Sequence, residues 1–317
     1  MSISPTAWVI TDGAAGNEKQ ALALAAALDC PSVTIRLATS APWRWAAPHL
    51  IPPQAATFGP SVATHFDSEP PRLAIGCGRQ AALALRWLKR RHGNTIRTVQ
   101  ILDPRIDPRH FDAVVVPEHD ALREPNVLTT LGALNAIDDA WLAQARDAWP
   151  TLRALPSPRT AVLLGGPTRA YALDRAAWAA LAAQLRTQHA RDDGSLLVTT
   201  SRRSPDWLRR AARADLADLP GVQWHGDTDG PNPYAGMLAI ADRIVVTPDS
   251  INLVSEACAT HAAVWVPDIA AVRGKTEAFL ADLLARQRIA APGRDTDRTP
   301  LRETARIAAE LQSRLLR

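Results

Sequence analysis

Residues 243–266 read RIVVTPDSINLVSEACATHAAVWV, and this order of apolar and polar residues decides the fold class. The apolar run 244–246 predicts a buried strand, and the polar residues 247–250 predict a turn after it. Residues 251–259 are predicted to form a helix, and the apolar run 264–266 the next strand. This βαβ order is typical of a parallel sheet, in which ligands bind beyond the carboxyl ends of the strands.

The polar turn of this unit predicts a binding site for an anionic ligand. The first N–H groups of a helix lack partners within the helix and carry a partial positive charge, which suits a diphosphate. Asp249 and Ser250 lie in the turn, and Glu256 lies two turns into the helix, where its carboxylate could accept hydrogen bonds from sugar hydroxyls. Simpler interpretations stay open, because Ser250 is a favourable N-cap and Glu256 could be a solvated helix residue.

Strand-like and helix-like segments alternate along nearly the whole chain, which predicts an α/β fold with parallel sheets. The other predicted strands are residues 8–10, 32–37, 73–75, 98–102, 113–116, 160–164, 195–199 and 222–225. The prolines within residues 150–158 predict a linker between domains. We therefore expect two Rossmann-like domains, 1–150 and 151–317, that face each other across a cleft. The amphipathic segment 301–316 is expected to form a last helix, which could pack back on the first domain.

The composition is that of a globular protein and limits the class of partner. The chain has 317 residues, of which 47% are hydrophobic and 21% charged, and its net charge is +4. This mild charge permits phosphate-bearing ligands or an anionic membrane surface but does not indicate nucleic acid. The three cysteines form no CxxC pair, residues 1–5 have no signal-peptide pattern, and no apolar run approaches the length of a membrane span. We therefore expect a cytoplasmic protein whose membrane contact, if any, is peripheral at the inner face.

Two further loops of the second domain carry groups that bind phosphates. Residues 165–169 read Gly-Gly-Pro-Thr-Arg after one predicted strand, and residues 201–204 read Ser-Arg-Arg-Ser after another. Arginines, helix N–H groups and close-approaching glycine backbone are common means of holding a diphosphate. We therefore predict a binding site for a nucleotide or a nucleotide sugar, formed by Gly165, Gly166, Thr168, Ser201, Arg202, Asp249, Ser250 and Glu256.

The first domain has comparable loops after two of its predicted strands. Residues 12–17 read Asp-Gly-Ala-Ala-Gly-Asn, and Gly13, Gly16 and Asn17 are candidates for contact with an acceptor. Arg79 lies in the first turn of a helix, where a cation opposes the helix dipole. It is interpreted as an anion ligand or as a surface arginine, and the loop 12–17 as a ligand loop or as a tight βα turn.

A site that transferred a bound group to an acceptor hydroxyl would need a general base, and the candidates for one follow strands of the first domain. Asp12 follows the first strand, and His119 follows a later one within the run Glu118-His119-Asp120. A histidine titrates near neutral pH when it is exposed. We predict Asp12 and His119 as catalytic residues, with a turn or cap role as the alternative for each.

Two Asp-Thr-Asp runs, at 227–229 and 295–297, imitate the DxD metal-binding motif of some glycosyltransferases. Both lie in loops that carry Gly or Pro and do not follow a clear strand end. We interpret them as solvated loops and expect no metal and no cofactor, the nucleotide sugar being a substrate.

Two segments of the first domain combine tryptophan with basic residues, at 42–51 and 86–91. Exposed Trp with Arg or Lys could dock on an anionic membrane that carries a lipid acceptor. The alternative interpretation is core tryptophan beside solvated charge.

Several motifs, taken together, resemble bacterial members of the mitochondrial fission (elongated mitochondria) family. They are residues 12–17, 100–104, 117–120, 126–127, 168–170, 201–204, 232–234 and 256–260. The resemblance covers nearly the whole chain and implies a fold like that of GT-B glycosyltransferases, with a donor domain similar to that of the lipid II-forming N-acetylglucosaminyltransferase. It implies that Glu256 holds the ribose hydroxyls of the donor. The family usually has Gly and Pro where this chain has His261 and Ala263, which puts the turn after the helix in question.

These motifs lead us to expect a GT-B-like glycosyltransferase that uses a nucleotide-diphosphate sugar, with a lipid-linked or cell-envelope glycan as a candidate acceptor. Two alternatives stay open. One is a non-catalytic interaction protein of the same family that retains the fold, and the other is a nucleotide-sugar epimerase.

Overall fold

The computed structural model of the chain describes residues 7–315 and divides into two units. The first unit contains the described residues up to Ala136 together with those from Arg302 onward, and the second is Ile137–Leu301. Each unit contains one parallel sheet, so the predicted α/β class with two parallel sheets is confirmed. The proline-bearing segment 150–158 lies inside the second unit, where its start forms a short helix.

The first sheet has six parallel strands in the order β2-β1-β3-β4-β5-β6. The strands are β1 Ala7–Thr11, β2 Ser32–Arg36, β3 Leu73–Cys77, β4 Arg97–Ile101, β5 Ala113–Pro117 and β6 Val127–Thr130. The strand order reverses direction between β1 and β3, because β2 lies on one side of β1 and all later strands lie on the other. In open sheets this switch point is where loops separate and leave a crevice.

The second sheet has five parallel strands in the order β11-β10-β7-β8-β9. The strands are β7 Arg159–Leu164, β8 Ser195–Thr200, β9 Gly221–Trp224, β10 Arg243–Val246 and β11 Ala263–Trp265. The switch point of this sheet lies between β7 and β10. It is flanked by the glycine loop after β7 and by the turn after β10.

Helices connect the strands in both units. They are α1 Ala15–Ala27, α2 Trp43–Ala46, α3 Pro60–Phe66, α4 Arg79–His92, α5 Asp139–Ala148, α6 Pro150–Arg153, α7 Arg175–Asp192, α8 Asp206–Asp215, α9 Tyr234–Ile240, α10 Ile251–Cys258, α11 Lys275–Ala285 and α12 Thr304–Leu315. None of the helices in the described part of the chain is long and apolar enough to span a membrane.

The first sheet is covered on both faces, which explains why its central strands are buried at every residue. One core cluster contains Phe58, Phe66 and Trp87, and another contains Leu24 with Leu311 of α12. Complete burial of such a side chain stabilises the fold by about 1.5–3 kcal/mol. Helix α12 packs against α1, and so the end of the chain completes the core of the first unit.

The turn after α10 forms without the glycine that is usual in the resembled family. The Thr260 hydroxyl donates to the Ala257 carbonyl at 2.8 Å and accepts from the Ala262 N–H at 3.2 Å. The cap residue Ala259 keeps a right-handed helical backbone, so no position requires positive φ. A threonine side chain therefore closes the helix in place of a glycine.

Candidate functional site

The loops after β7 and β10 meet at the switch point of the second sheet. The Gly165 N–H donates to the Thr247 hydroxyl at 2.8 Å, and the Gly166 N–H donates to the Asp249 carboxylate at 3.1 Å. A Cβ added at Gly165 would overlap the Asp249 carboxylate oxygens. Glycine is therefore required at 165 because the side chain of the neighbouring loop occupies the space a larger residue would need.

Asp249 joins the three loops through a side chain that is 0% exposed. Its carboxylate accepts from the Thr247 hydroxyl at 2.6 Å and pairs with the Arg203 guanidinium at 2.9 Å, in addition to the Gly166 N–H. Burial raises the pKa of Asp249 above its ordinary value, and these three donors offset the effect only in part. Asp249 was predicted to bind the donor directly, but its side chain is directed into the loop cluster and positions the other residues.

The loop after β8 is fixed to the same cluster by its serines. The buried Ser204 hydroxyl donates to the carbonyls of Leu164 and Gly165, and it lies 3.3 Å from the Ser201 hydroxyl. Arg202, which was predicted to bind the donor, is exposed at the same edge. The loop thus presents an arginine side chain from a backbone that is held in place.

Helix α10 begins at this edge and carries the carboxylate Glu256. Ser250 accepts the Leu253 N–H at 3.4 Å and is therefore the N-cap that its residue type favours. Glu256 is 7% exposed and accepts a hydrogen bond from the Tyr234 hydroxyl, so it is not a solvated helix residue. Burial, and then the nearby Glu256 charge, raise the pKa of Tyr234 well above its usual value. Tyr234 therefore donates its proton to Glu256 throughout the physiological range.

Hydrogen bonds connect the loops that carry the predicted donor-site residues Gly165, Gly166, Ser201 and Asp249. Arg202 lies exposed in the same loop as Ser201, Ser250 caps the helix that follows Asp249, and Glu256 lies further along that helix. The predicted residue Thr168 has a local role, because its hydroxyl accepts hydrogen bonds from the Ala170 and Tyr171 N–H groups and forms a turn within its own loop.

Four contributors to the cluster were absent from the predicted donor set: Thr247, Arg203, Ser204 and Tyr234. The first three belong to loops that the sequence had already singled out. Tyr234 belongs to the motif at 232–234, and only the resemblance drew attention to it.

The switch point of the first sheet brings together several predicted acceptor-side residues. The half-buried Asp12 accepts from the Ala14 N–H at 3.1 Å and from the Asn17 amide at 3.4 Å. A Cβ added at Gly78 would lie 2.7 Å from that Asn17 amide nitrogen, so the loops after β1 and β3 touch here. Gly13 has φ +81° and an open space where a Cβ would be, which is typical of an exposed turn.

Gly16 and Arg79 frame the same crevice. Gly16 lies in the first turn of α1, and Arg79 is exposed as the first residue of α4. The amino end of α1 therefore carries a glycine, and the amino end of α4 carries an exposed guanidinium.

The structure separates the two predicted catalytic residues. Asp12 follows β1, whereas His119 follows β5, three strand positions further along the sheet. At about 4.8 Å per strand this places them about 14 Å apart along the edge. The two side chains therefore cannot act on the same proton, and Asp12 is the one at the switch point.

Neither Asp-Thr-Asp run forms a metal site in the described residues, where no group of three His, Cys, Asp or Glu is placed to hold a metal ion. Asp229 accepts from the His225 N–H and pairs with Arg213, both at 2.7 Å. The His225 N–H, followed by Arg213, lowers the pKa of Asp229. This carboxylate anchors the loop after β9.

The two tryptophan segments of the first unit differ in exposure. Trp45 is 67% exposed and Leu50 is 59% exposed, and Arg86 donates to the Pro48 and His49 carbonyls between them. Trp87, in contrast, is buried and stacks on Phe66 with ring centroids 5.6 Å apart. Trp87 is therefore a core residue, and of the two segments it is 42–51 that exposes large apolar side chains.

Comparisons of sequence agree with the resemblance. A family model described as mitochondrial fission ELM1 matches residues 15–315. The mitochondrial fission protein ELM1 of Arabidopsis thaliana is 34% identical over 231 residues, which cover 63% of this chain and 52% of that protein. The chain thus spans about half the length of this relative. An uncharacterized protein of Rickettsia prowazekii is 26% identical over 301 residues, 82% of each chain.

Comparisons of structure identify the fold. The UDP-GlcNAc 2-epimerase of Methanocaldococcus jannaschii matches with a TM-score of 0.58 at 11% identity, over 97% of this chain and 99% of that one. A UDP-glucosyltransferase of Polygonum tinctorium matches with a TM-score of 0.53 at 10% identity, over 98% and 90%. The UDP-N-acetylglucosamine 2-epimerase of Rickettsia bellii matches at 0.51 and 12%, over 99% and 95%. The chain therefore has the fold shared by GT-B glycosyltransferases and these epimerases.

Proposed function

The chain belongs to the mitochondrial fission ELM1 family, and we propose that it binds a nucleoside-diphosphate sugar at the carboxyl edge of its second sheet and transfers the sugar to an acceptor. The observation that carries the proposal is the loop cluster at the β7/β10 switch point, which Asp249 fixes and which is followed by helix α10 with its buried Glu256. Matching structures of the same fold bear names that refer to UDP-sugars, which supports this ligand class.

The diphosphate would bind between the amino end of α10 and the glycine backbone after β7. The amino end of α10 carries a partial positive charge, and the exposed Arg202 adds a guanidinium at the same edge. Gly165 and Gly166 allow a ligand to approach the backbone closely. As the sugar leaves the diphosphate, the negative charge that develops would be stabilised by these groups, and so we propose no metal requirement.

The ribose would be held by Glu256, with Tyr234 fixing the carboxylate. A buried carboxylate that already accepts one hydroxyl is oriented before a ligand arrives, which lowers the entropy lost on binding. Gly236 supports this arrangement, because a Cβ there would lie 2.5 Å from the Trp149 ring and displace the helix that carries Tyr234.

Acceptor chemistry would belong to the first unit, with Asp12 as the general base at its switch point. The acceptor hydroxyl would give its proton to Asp12 as its oxygen attacks the anomeric carbon and the nucleoside diphosphate departs. His119 is the second candidate. A lipid-linked or cell-envelope glycan is the proposed acceptor class.

Binding of nucleotide sugars tests the proposal. We expect UDP- or GDP-sugars to bind the wild-type chain by calorimetry, and Glu256→Gln to weaken binding about tenfold or more, since hydrogen bonds to charged groups contribute about 1.5–3 kcal/mol. Tyr234→Phe should weaken it less and should reduce the preference for a ribose over a 2′-deoxyribose ligand. Glu277→Gln, an exposed change on α11, is the matched control. Equal affinity in Glu256→Gln and wild type would remove the assigned role.

A peripheral membrane contact is proposed for the segment 42–51. Trp45 and Leu50 expose apolar surface beside Arg44, a combination suited to an anionic bilayer. We expect flotation with phosphatidylglycerol vesicles, reduced in Trp45→Ala and unchanged in Trp207→Ala, whose half-buried ring lies in the second unit. Equal flotation of both variants would contradict this contact.

An epimerase of the same fold is the second candidate, favoured by the TM-score of 0.58 to a UDP-GlcNAc 2-epimerase. It would convert the bound sugar to its isomer with no acceptor added, which NMR of the incubated nucleotide sugar detects. A non-catalytic interaction protein would show neither transfer nor isomerisation.

A further inference from the structure

The amino edge of the second sheet carries a cavity of about 340 Å³, at the end opposite the candidate donor site. Its basic lining residues are Arg146 of α5, Arg153 of α6, Arg159 at the start of β7, His261 and Arg298. Arg159 begins β7 and Gly165 follows its last residue, so the strand separates the two edges by about 20 Å. The cavity is therefore a separate feature of the second unit.

The positive charge around this cavity is mostly uncompensated. Arg146 donates to the Ala239 carbonyl at 3.1 Å, and Arg159 donates to the Leu155 and Arg153 carbonyls at 3.0 and 2.9 Å. These acceptors carry no net charge. No ion pair connects the guanidinium groups of these two residues, or those of Arg153 and Arg298, to a carboxylate within residues 7–315.

Only limited negative charge faces these arginines within the described lining. Asp242 is its one carboxylate and accepts the Arg159 backbone N–H at 2.7 Å. His261 at the rim lies 2.8 Å from Asp139. Four guanidinium groups against these two carboxylates leave an excess of positive charge, which a bound anion would neutralise.

We propose that this cavity binds a phosphate-bearing ligand. Guanidinium groups match phosphate oxygens in bidentate geometry, and those of Arg146 and Arg159 are already held by carbonyls. The volume of about 340 Å³ accommodates more than one phosphoryl group. A soluble phosphate ester and a phospholipid headgroup share this chemistry.

Binding of inorganic pyrophosphate at low salt tests the proposal. We expect calorimetry to detect binding to the full chain, and the double variant Arg153→Gln/Arg298→Gln to lose about tenfold or more in affinity. The matched control is Arg210→Gln/Arg294→Gln, which removes the same charge from exposed positions outside the cavity. The titrations are repeated in an Arg202→Gln background, so that pyrophosphate bound at the proposed donor site at the opposite edge does not contribute.

Each outcome decides the proposal. A selective loss in the cavity variant, with the Arg210/Arg294 control unchanged, supports it, and co-sedimentation with phosphatidylglycerol vesicles that follows the same variant would identify a lipid headgroup as the source. An equal loss in the cavity variant and the Arg210/Arg294 control would show binding by net charge alone and overturn it. A loss confined to Arg202→Gln, or no binding at all, would also overturn it.

Discussion

The two switch points have the same topology but differ in how their loops are held. At β7/β10 the buried side chains of Asp249, Thr247 and Ser204 connect three loops. At β1/β3 the half-buried Asp12 bonds mainly within its own loop, and Asn17 touches the next one. The difference indicates that buried side chains fix the loops of the second edge to one another, whereas the loops of the first edge are held by fewer contacts.

This contrast fits the ligands proposed for the two edges. A nucleoside diphosphate offers the same phosphates and ribose whatever sugar it carries, so a fixed site lowers the entropy cost of binding it. A loop that has open space around Gly13 can adjust to a bulkier acceptor. Substitutions at both switch points and a change of pH at the second edge test this contrast.

The largest effect is expected from adding one methyl group at each edge. At Gly165 the new Cβ would overlap the Asp249 carboxylate, and because the carboxylate is fixed by three loops we expect a loss of about 3 kcal/mol in the free energy of unfolding. At Gly13 the Cβ meets open space and only the φ of +81° opposes it, so Gly13→Ala should cost about 1 kcal/mol. Denaturant unfolding measures both, and equal losses would contradict the contrast.

An effect of at most the same size is expected from pH at the second edge. His225 follows β9, is 7% exposed, and burial, followed by the Arg213 charge, lowers its pKa to about 4. Between pH 6.5 and 4 the unfolded chain binds a proton that folded His225 does not, so stability falls as the pH falls through this window, by up to about 3 kcal/mol. The loss is complete near pH 4.

The difference in unfolding free energy between wild type and His225→Gln isolates this histidine, because the other groups titrate in both proteins. The variant should become more stable relative to the wild type as the pH is lowered from 6.5 to 4. A difference that is constant with pH would show that the imidazole reaches solvent and that this edge is less well packed than the contrast requires.

The sequence predicted the loops of both edges because each loop is a local signal. Glycines, hydroxyls and arginines after an apolar run mark the carboxyl end of a strand without any knowledge of the sheet, as in the segments 165–169 and 201–204. The parallel α/β class followed from the same alternation. The N-cap role of Ser250 was also visible, because capping depends on neighbouring residues alone.

The roles of Asp249 and Tyr234 could not be predicted in this way. Asp249 points inward because β10 lies beside β7, and that neighbourhood depends on strand order, which a single sequence does not specify. Tyr234 meets Glu256 across 22 positions through the packing of two helices. Trp87 lies in a basic run yet is buried, since its helix turns one face to the core.

The smallest effect on stability is expected from Asp12→Asn at the first edge. The amide oxygen of asparagine can still accept from the Ala14 N–H, and the contact with Asn17 is long at 3.4 Å, so we expect a change within about 0.5 kcal/mol. If Asp12 is the general base, the rate of transfer should fall about 100-fold or more in the same variant, because an amide cannot take up the acceptor proton.

Donor binding separates this result from general damage. Because Asp12 lies in the first unit, Asp12→Asn should bind the nucleotide sugar as tightly as the wild type while transfer is lost. The variant His119→Gln then decides between the two candidate bases, which lie on strands three positions apart. If His119→Gln abolishes transfer and Asp12→Asn does not, the base is His119, which follows β5, and the first switch point serves acceptor binding alone.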